Sequence, residues 1–310
     1  MLSSLQSEKK RRELNEKLIK SALILAAAIS ILTTFGILFS ILFEAIEFFQ
    51  LRSFWYFLTG TIWSPGVANS QFGALPIFAG TFVITIIALL VAIPIGLGSA
   101  IYMSEYASPK FRDYLKPILE ILAGIPTVVY GFFAAITVAP LVVKAAAFFG
   151  LEATFNSALA SGIVMGIMII PLISSLSDDV IRAVPDSQRK AAFALGMTHG
   201  ETIKNIVIPS AMPGIISASL LALSRALGET MIVVMAAGLR PNLSWNPLED
   251  MTTVTVTIVN SLVGDFEFNS PETLSAFALG LVLFIVTLIL NMISLSLIRK
   301  FKEKYKVNQL

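Results

Sequence analysis

The sequence contains no cysteine and a single histidine, His199, among its 310 residues. Disulfides, thiolate metal sites and cysteine nucleophiles are therefore excluded, and one imidazole cannot build a histidine-cluster metal site. Charged residues make up 14% of the chain, against about 25% in an ordinary soluble domain. This low charge excludes a disordered chain, a nucleic-acid-binding surface and an ordinary cytosolic enzyme. The sequence has no G-x-x-x-x-G-K-[ST] phosphate loop, so any ATP that drives this protein is bound by another chain.

Long apolar runs are abundant instead. Apolar residues account for 56% of the chain, and the mean hydropathy is +0.82. A helix that crosses a bilayer needs about 20 such residues. Six segments predict an all-α membrane protein with six transmembrane helices: 21–43, 73–103, 115–138, 158–178, 213–238 and 274–298. The first is interpreted as a retained span rather than a signal peptide. The apolar stretch 139–149 is interpreted as a short helix on the membrane surface.

The distribution of Lys and Arg predicts the orientation. Eighteen of the 22 basic residues fall in the N-terminal tail, the connections 104–116 and 179–212, and the C-terminal tail. Three lie in the opposite connections, and Arg225 lies inside a span. Because basic residues concentrate on the cytoplasmic side of membrane proteins, both termini are expected in the cytoplasm. The basic run 9–12 is interpreted as a topology anchor, and it suits contact with anionic membrane lipid.

Three prolines, Pro94, Pro126 and Pro171, fall at mid-membrane positions of the predicted spans. Proline bends a membrane helix and frees a carbonyl, which is tolerated where neighbours or water satisfy the backbone. Two interpretations stay open. The prolines serve helix packing, or they are hinges in helices that surround a pathway which opens and closes.

Local signals predict two short helices in the connection 184–209. The first begins with a proline and an aspartate, which suit a first turn, and it ends at Gly196. Thr198 and Glu201 form a capping box that opens the second helix, which is expected to end before Pro209. A rigid helix–turn–helix outside the membrane, with a face of small alanines, indicates docking to another protein.

The pattern Ala191-Ala192-x3-Gly196-x9-Ile206-x-Ile208-Pro209 in this connection resembles the EAA loop of importer-type ABC permeases. The family motif is Glu-Ala-Ala, three residues, Gly, nine residues, Ile, one residue and Leu-Pro. Lys190 stands where the family usually has Glu, which reverses a charge at the expected contact. The resemblance implies that the loop docks on a separate ATPase subunit, which binds ATP and Mg²⁺. The implied coupling residues are Lys190, Ala191, Ala192, Gly196, Ile206 and Pro209.

Arg225 is expected near the bilayer centre, where an arginine costs at least about 2.5–3.5 kcal/mol to insert. Glu229 follows one helical turn later. One interpretation is a buried ion pair that fixes the helix register. The other is that the guanidinium, whose planar donors suit tetrahedral oxyanions, meets an anion in transit while Glu229 holds or releases it. The two are compatible, and an anionic substrate is favoured because the other carboxylates lie near span ends.

Further stretches resemble the phosphate-specific (Pst) permeases: Phe72–Pro76, Gly80–Thr81, Ala92–Gly98, Ser104–Tyr106, Ile121–Gly131 and Arg225–Thr230. Within them, Phe72–Leu75 and Ile125–Gly131 favour the PstC-type half. The resemblance covers roughly 72–300. It divides the chain into an N-terminal tail with the first helix and outer loop (1–71), a permease core with the coupling loop (72–300) and a cytoplasmic tail (301–310). It implies a multi-pass subunit of the cytoplasmic membrane for phosphate import, with Arg225 and Glu229 in the substrate pathway. This subunit is not an enzyme and has no cofactor or metal of its own.

The implied partners are a PstA-like second permease, two PstB-like ATPase subunits and an extracytoplasmic PstS-like phosphate-binding protein, and no nucleic acid. Permeases for molybdate, tungstate and sulfate share the EAA loop, so these substrates stay open. A channel or secondary anion transporter that works without ATP is the alternative from another class.

Overall fold

The computed structural model describes residues 2–66, 70–263, 267 and 269–306. The α-helices are α1 (Leu2–Leu51), α2 (Phe54–Thr59), α3 (Leu75–Ile101), α4 (Pro109–Ala123), α5 (Thr127–Phe133), α6 (Ala139–Phe148), α7 (Ala158–Arg182), α8 (Asp186–Ala194), α9 (His199–Thr202), α10 (Ile208–Leu227), α11 (Met231–Ala236), α12 (Val254–Val263) and α13 (Pro271–Lys306). π-Helical segments extend α3 at Tyr102–Tyr106, join α5 to α6 at Ala134–Val138 and join α9 to α10 at Ile203–Val207. Two short antiparallel strands, β1 (Trp63–Ser64) and β2 (Gln71–Phe72), pair with each other.

Six helical stretches in the described parts of the chain are long and apolar enough to cross a membrane: Asn15–Leu51, Leu75–Tyr106, Thr127–Phe148, Ala158–Arg182, His199–Leu227 and Pro271–Lys300. We number them membrane helices one to six. The predicted all-α architecture and the six spans are confirmed. The predicted divisions at 71 and 300 stay predictions. Of the predicted tail 301–310, α13 includes the residues to Lys306, and 307–310 lie outside the described residues.

The predicted third span, 115–138, is wrong in its boundaries. The segment 109–123 is a separate amphipathic helix, α4, and membrane helix three runs from Thr127 to Phe148. Pro126 is the residue before that helix, so it starts the helix instead of bending its middle. The stretch 139–149 is therefore the second half of a membrane helix and not a surface helix. Hydropathy missed the break because apolar residues continue across it.

The predicted fifth span, 213–238, is also shifted. One helical stretch runs from His199 to Leu227, so the second helix of the connection does not end before Pro209 but continues into the membrane. The π-helical segment just before Pro209 changes the hydrogen-bond register, and the proline falls in the first turn of α10, where its missing N–H is tolerated. The helix then ends at Leu227, and α11 begins at Met231.

The α3 and α7 helices form the centre of the bundle, and each contains one of the predicted membrane prolines, Pro94 and Pro171. They pack so closely that a Cβ added at Gly166 would lie 2.8 Å from the carbonyl oxygen of Ala88. Small residues permit this backbone approach, which provides van der Waals contact between membrane helices. The buried core around α3 and α7 includes Ile169 and also Ala222 and Ala226 of α10, so membrane helix five is fixed against the same centre.

The two ends of the bundle differ in what they carry. One end, which we call the α8 end, contains Tyr106, Arg182, α8 and α9. The opposite end contains the loop 239–253 and an aromatic cluster of Phe48, Phe57, Trp63 and Phe72. Membrane helix one packs along α13, and none of its most apolar window is buried by the described chain.

Candidate functional site

Arg225 lies in the last turn of α10, about halfway through the bundle. The α10 helix runs antiparallel to α7, with Gly214 packed against Val180. Because both helices rise about 1.5 Å per residue, Arg225 lies at about the level of Ile169, the middle of α7. This depth agrees with the expectation from the sequence, although the helix boundaries differ.

The Arg225 side chain is exposed on the surface of the chain. No described residue forms a hydrogen bond or an ion pair with it, and Tyr130 of α5 lies within electrostatic range. A guanidinium at this depth is costly against lipid, so this face is covered by water or by another protein. The planar donors of the guanidinium are therefore available to an anion.

Glu229 lies in the non-helical segment between α10 and α11 and is 8% exposed. The backbone N–H groups of Met231 and Ile232 donate to its Oε1 at 2.9 and 3.2 Å. Its own carbonyl accepts a hydrogen bond from the Thr255 hydroxyl at 2.8 Å. The carboxylate thus caps the start of α11, and the expected Arg225–Glu229 ion pair is not formed. The helix ends at Leu227, so the two residues do not share one helical face.

A second helix break lies beside this one. Residues 124–126 separate α4 from α5, and the Tyr130 hydroxyl donates to the carbonyl of Leu122 at 2.9 Å, across that break. A Cβ added at Gly131 would lie 2.6 Å from the Met235 sulfur, so α5 and α11 touch closely. Interrupted membrane helices leave main-chain polar groups free and are typical of substrate sites at mid-membrane depth. The two breaks and Arg225 form the candidate site.

The predicted coupling residues lie on α8 and the stretch that follows it. Gly196 has a φ of +83°, the left-handed conformation expected where the first helix stops, and Thr198 and Glu201 form the capping box. Lys190 and Ala191 are exposed, Ala192 is buried, and Ile206 and Pro209 are half-buried in the helix that follows. Leu195 is 81% exposed, so the loop ends in an apolar tip.

Residues 92–306 match the family described as "Binding-protein-dependent transport system inner membrane component". The chain belongs to this family. Its members are transport components and not enzymes, and the chain is a multi-pass membrane protein of that class.

Relatives within the binding-protein-dependent transport family carry more specific names. The chain is 35% identical over 251 residues to the "Probable ABC transporter permease protein YqgH" of Bacillus subtilis (strain 168), covering 81% of this chain and 78% of that protein. It is 34% identical over 287 residues to the "Phosphate transport system permease protein PstC" of Mesorhizobium japonicum, covering 86% and 84%. A bacterial alginate ABC transporter in complex with an alginate pentasaccharide-bound periplasmic protein contains a chain with a TM-score of 0.60. That match has 15% identity over 90% of this chain and 94% of that chain, so it shows the fold alone.

Sequence reasoning missed an ion-pair network at the α8 end of this family member. Arg112 pairs with Asp178 at 2.6 Å, Lys116 with Asp179 at 2.6 Å, and Arg189 with Glu105 at 2.8 Å. The hydrogen bond to the Asp178 carboxylate raises the pKa of Arg112. Acidic and basic residues at neighbouring span ends were the available signal, but the pairing depends on how helices distant in sequence approach each other.

Proposed function

We propose that this chain is the PstC-type permease subunit of an ATP-driven ABC importer that moves inorganic phosphate inward across the cytoplasmic membrane. The observation that carries the substrate is Arg225, a guanidinium at mid-membrane depth without a hydrogen-bond or ion-pair partner among the described residues. The names of relatives such as the Mesorhizobium japonicum protein support phosphate.

The pathway follows from this unpartnered charge. Phosphate meets Arg225 between the two helix breaks, and Glu229 stands next to it while holding the start of α11. A PstA-like second permease covers the exposed Arg225 face, since a lipid-facing guanidinium is unfavourable. Backbone N–H groups hold the Glu229 carboxylate and Arg225 does not, so the guanidinium stays available to the anion. Pro94 and Pro171, which lie inside helices, are the proposed hinges, and Pro126 lies in the break between α4 and α5.

The coupling partner docks at the α8 end. The distribution of Lys and Arg supports a cytoplasmic position for this end and for both termini. The α8 tip offers the apolar Leu195, and Lys190 of the same helix is also exposed. Two PstB-like ATPase subunits bind ATP and Mg²⁺. One of them binds the α8 tip of this chain, and the other binds the corresponding tip of the second permease. A PstS-like phosphate-binding protein delivers phosphate at the opposite end.

The test is uptake of labelled inorganic phosphate into proteoliposomes that contain the chain with its co-purified partners. We expect uptake that needs both ATP and the binding protein and that excess molybdate or sulfate does not inhibit. Uptake without ATP would assign the protein to channels or secondary transporters. ATP-driven uptake of molybdate, tungstate or sulfate alone would keep the importer and overturn phosphate.

A further inference from the structure

Arg189 lies on α8, but its side chain points into the protein and not toward the apolar tip. Its guanidinium is 2.8 Å from Glu105 Oε1 and donates to the carbonyl of Ile181 at 3.0 Å. It also donates to the carbonyl of Val184 and lies 3.4 Å from Asp186 Oδ1. The side chains of Arg189 and Glu105 are 15% and 5% exposed. The pair is thus well shielded from water.

The partners of Arg189 belong to two different membrane helices. Glu105 lies in the π-helical segment that ends membrane helix two, and Ile181 lies in the last turn of membrane helix four. The imidazole Nε2 of His199 lies 3.2 Å from the carbonyl of Glu105, and its ring packs against Tyr106. Membrane helix five therefore begins at the same point. One guanidinium connects α8 to helices two and four beside the start of helix five.

Glu105 lies in a π-helical segment. π-Helical turns within α-helices frequently lie at functional sites, since one extra residue loosens the helix locally. The segment Tyr102–Tyr106 lies directly after α3 and ends at the turn into α4. A pull on Glu105 therefore acts on a part of membrane helix two that can change its winding.

The surroundings favour a mechanical role over a ligand site. Glu105 and Arg189 border a cavity of about 320 Å³, which is also lined by Arg112, Arg182 and Asp113. Its acidic and basic side chains balance, and Arg112 and Arg189 are already paired with carboxylates. The cavity therefore offers no excess charge for an anion.

We propose that the Arg189–Glu105 pair is the link through which movement of α8 reaches membrane helix two. Arg189 acts as a positioning residue, and this inference rests on the proposed function. Other described contacts of α8 are weaker, such as the hydrogen bond from Ser210 Oγ to Gln188 Oε1 at 3.0 Å. Without the pair, α8 follows the ATPase while helix two stays behind, so ATP is hydrolysed without transport.

The experiment measures ATP hydrolysed per phosphate taken up, in proteoliposomes that contain the whole complex. Arg189→Gln and Glu105→Gln are each expected to raise this ratio about tenfold, the scale of coupling between contacting charges. Arg189→Lys keeps the charge but loses the fork that reaches several acceptors at once, so it gives an intermediate ratio.

The matched control is Arg182→Gln, which removes an exposed arginine from the same cavity that forms no ion pair with a described residue. It should keep the wild-type ratio. Wild-type ratios in Arg189→Gln and Glu105→Gln overturn the link, and so does an equal rise in the Arg182→Gln control. If Arg189→Gln fails to assemble, Arg189→Lys decides, because a wild-type ratio there also overturns the link.

A second readout separates this inference from the proposed substrate. The chain has no cysteine, so a single Asn260→Cys on the exposed part of α12 is a unique thiol on this subunit. We expect the rate at which a thiol reagent labels this cysteine to change when ATP is added to the otherwise unchanged complex. We expect this change to disappear with Arg189→Gln. This measurement needs no phosphate. Failed phosphate uptake with intact ATP-dependent labelling overturns the substrate alone, whereas labelling that persists in Arg189→Gln overturns the link.

Discussion

The α8 end and the middle of the bundle treat charge in opposite ways. At the α8 end, Arg112, Lys116 and Arg189 each face a carboxylate within 2.8 Å. At mid-depth, Arg225 has no such partner in the described chain, and Glu229 is bonded to backbone N–H groups. These three cations at the α8 end are paired within one chain. Arg225 at mid-depth is left available to another molecule, so the paired charges hold parts of this chain together while the unpaired charge is the candidate for binding.

The largest expected effect is on transport, from Arg225→Gln. We expect phosphate uptake to fall at least about thirtyfold, since losing a charged partner of a desolvated ion costs about 2–5 kcal/mol. Thermal stability in detergent should stay within about 0.5 kcal/mol, because the side chain is exposed and unpaired. Uptake assays and unfolding curves on the same preparation check both statements. Normal uptake, or a misfolded variant, would contradict the view that Arg225 serves transport and the paired charges of the α8 end serve stability.

The next largest effect is on stability, from Asp178→Asn. The Asp178 side chain is 1% exposed and accepts hydrogen bonds from two nitrogens of Arg112. Its neutralisation leaves the Arg112 charge without its partner, and we expect a loss of about 3 kcal/mol. The matched control is Asp179→Asn. The Asp179 side chain is 54% exposed, and its pair with Lys116 should be worth less than about 1 kcal/mol. Equal unfolding shifts for both variants would contradict this prediction.

The smallest effect concerns the loop 239–253 at the opposite end. Glu249 accepts hydrogen bonds from the side-chain amides of Asn242 and Asn246 at 2.9 and 3.0 Å. Hydrogen bonds from Asn242, Ser244 and Asn246 lower its pKa from the ordinary 4.5. Because the folded pKa is the lower one, this stabilisation is fully present above pH 4.5 and is lost as the pH falls through the folded pKa.

Fluorescence quenching of the exposed Trp245 measures this loss. With Trp55 and Trp63 replaced by phenylalanine, we expect quenching to increase below about pH 4.5, near the ordinary carboxyl pKa. In the Glu249→Gln variant, quenching of Trp245 should be the same at every pH in this range. A step of the same size in that variant would show that another group controls the loop.

Much of the fold was accessible to sequence reasoning because it depends on local signals. The six apolar runs gave the six spans, and the start of α8, the left-handed Gly196 and the capping box at Thr198 follow from single residues and short spacings. The predicted depth of Arg225 also agrees with the structure, where it follows from the packing of α10 against α7, although both predicted ends of the span are wrong.

The rest depends on contacts between distant segments. An apolar run does not reveal that the helix breaks at 124–126 and 228–230, because the same residues suit a continuous span. Pro209 suggested a helix end, but the π-helical segment before it allows the helix to continue. The Arg189–Glu105 pair joins residues 84 positions apart. The capping role of Glu229 was hidden because a carboxylate one turn after an arginine suggests an ion pair.

The exposed tip of α8 has a consequence for how the protein is made. Phe193 and Leu195, at the end of α8 outside the membrane helices, are 46% and 81% exposed. Until another protein covers it, an unassembled chain displays an apolar surface, and such surfaces promote aggregation and removal by chaperones and proteases. With the ATPase partner proposed above, production of the two chains in matched amounts would keep this surface covered. An unassembled copy is exposed to degradation through the same residues that we propose for docking.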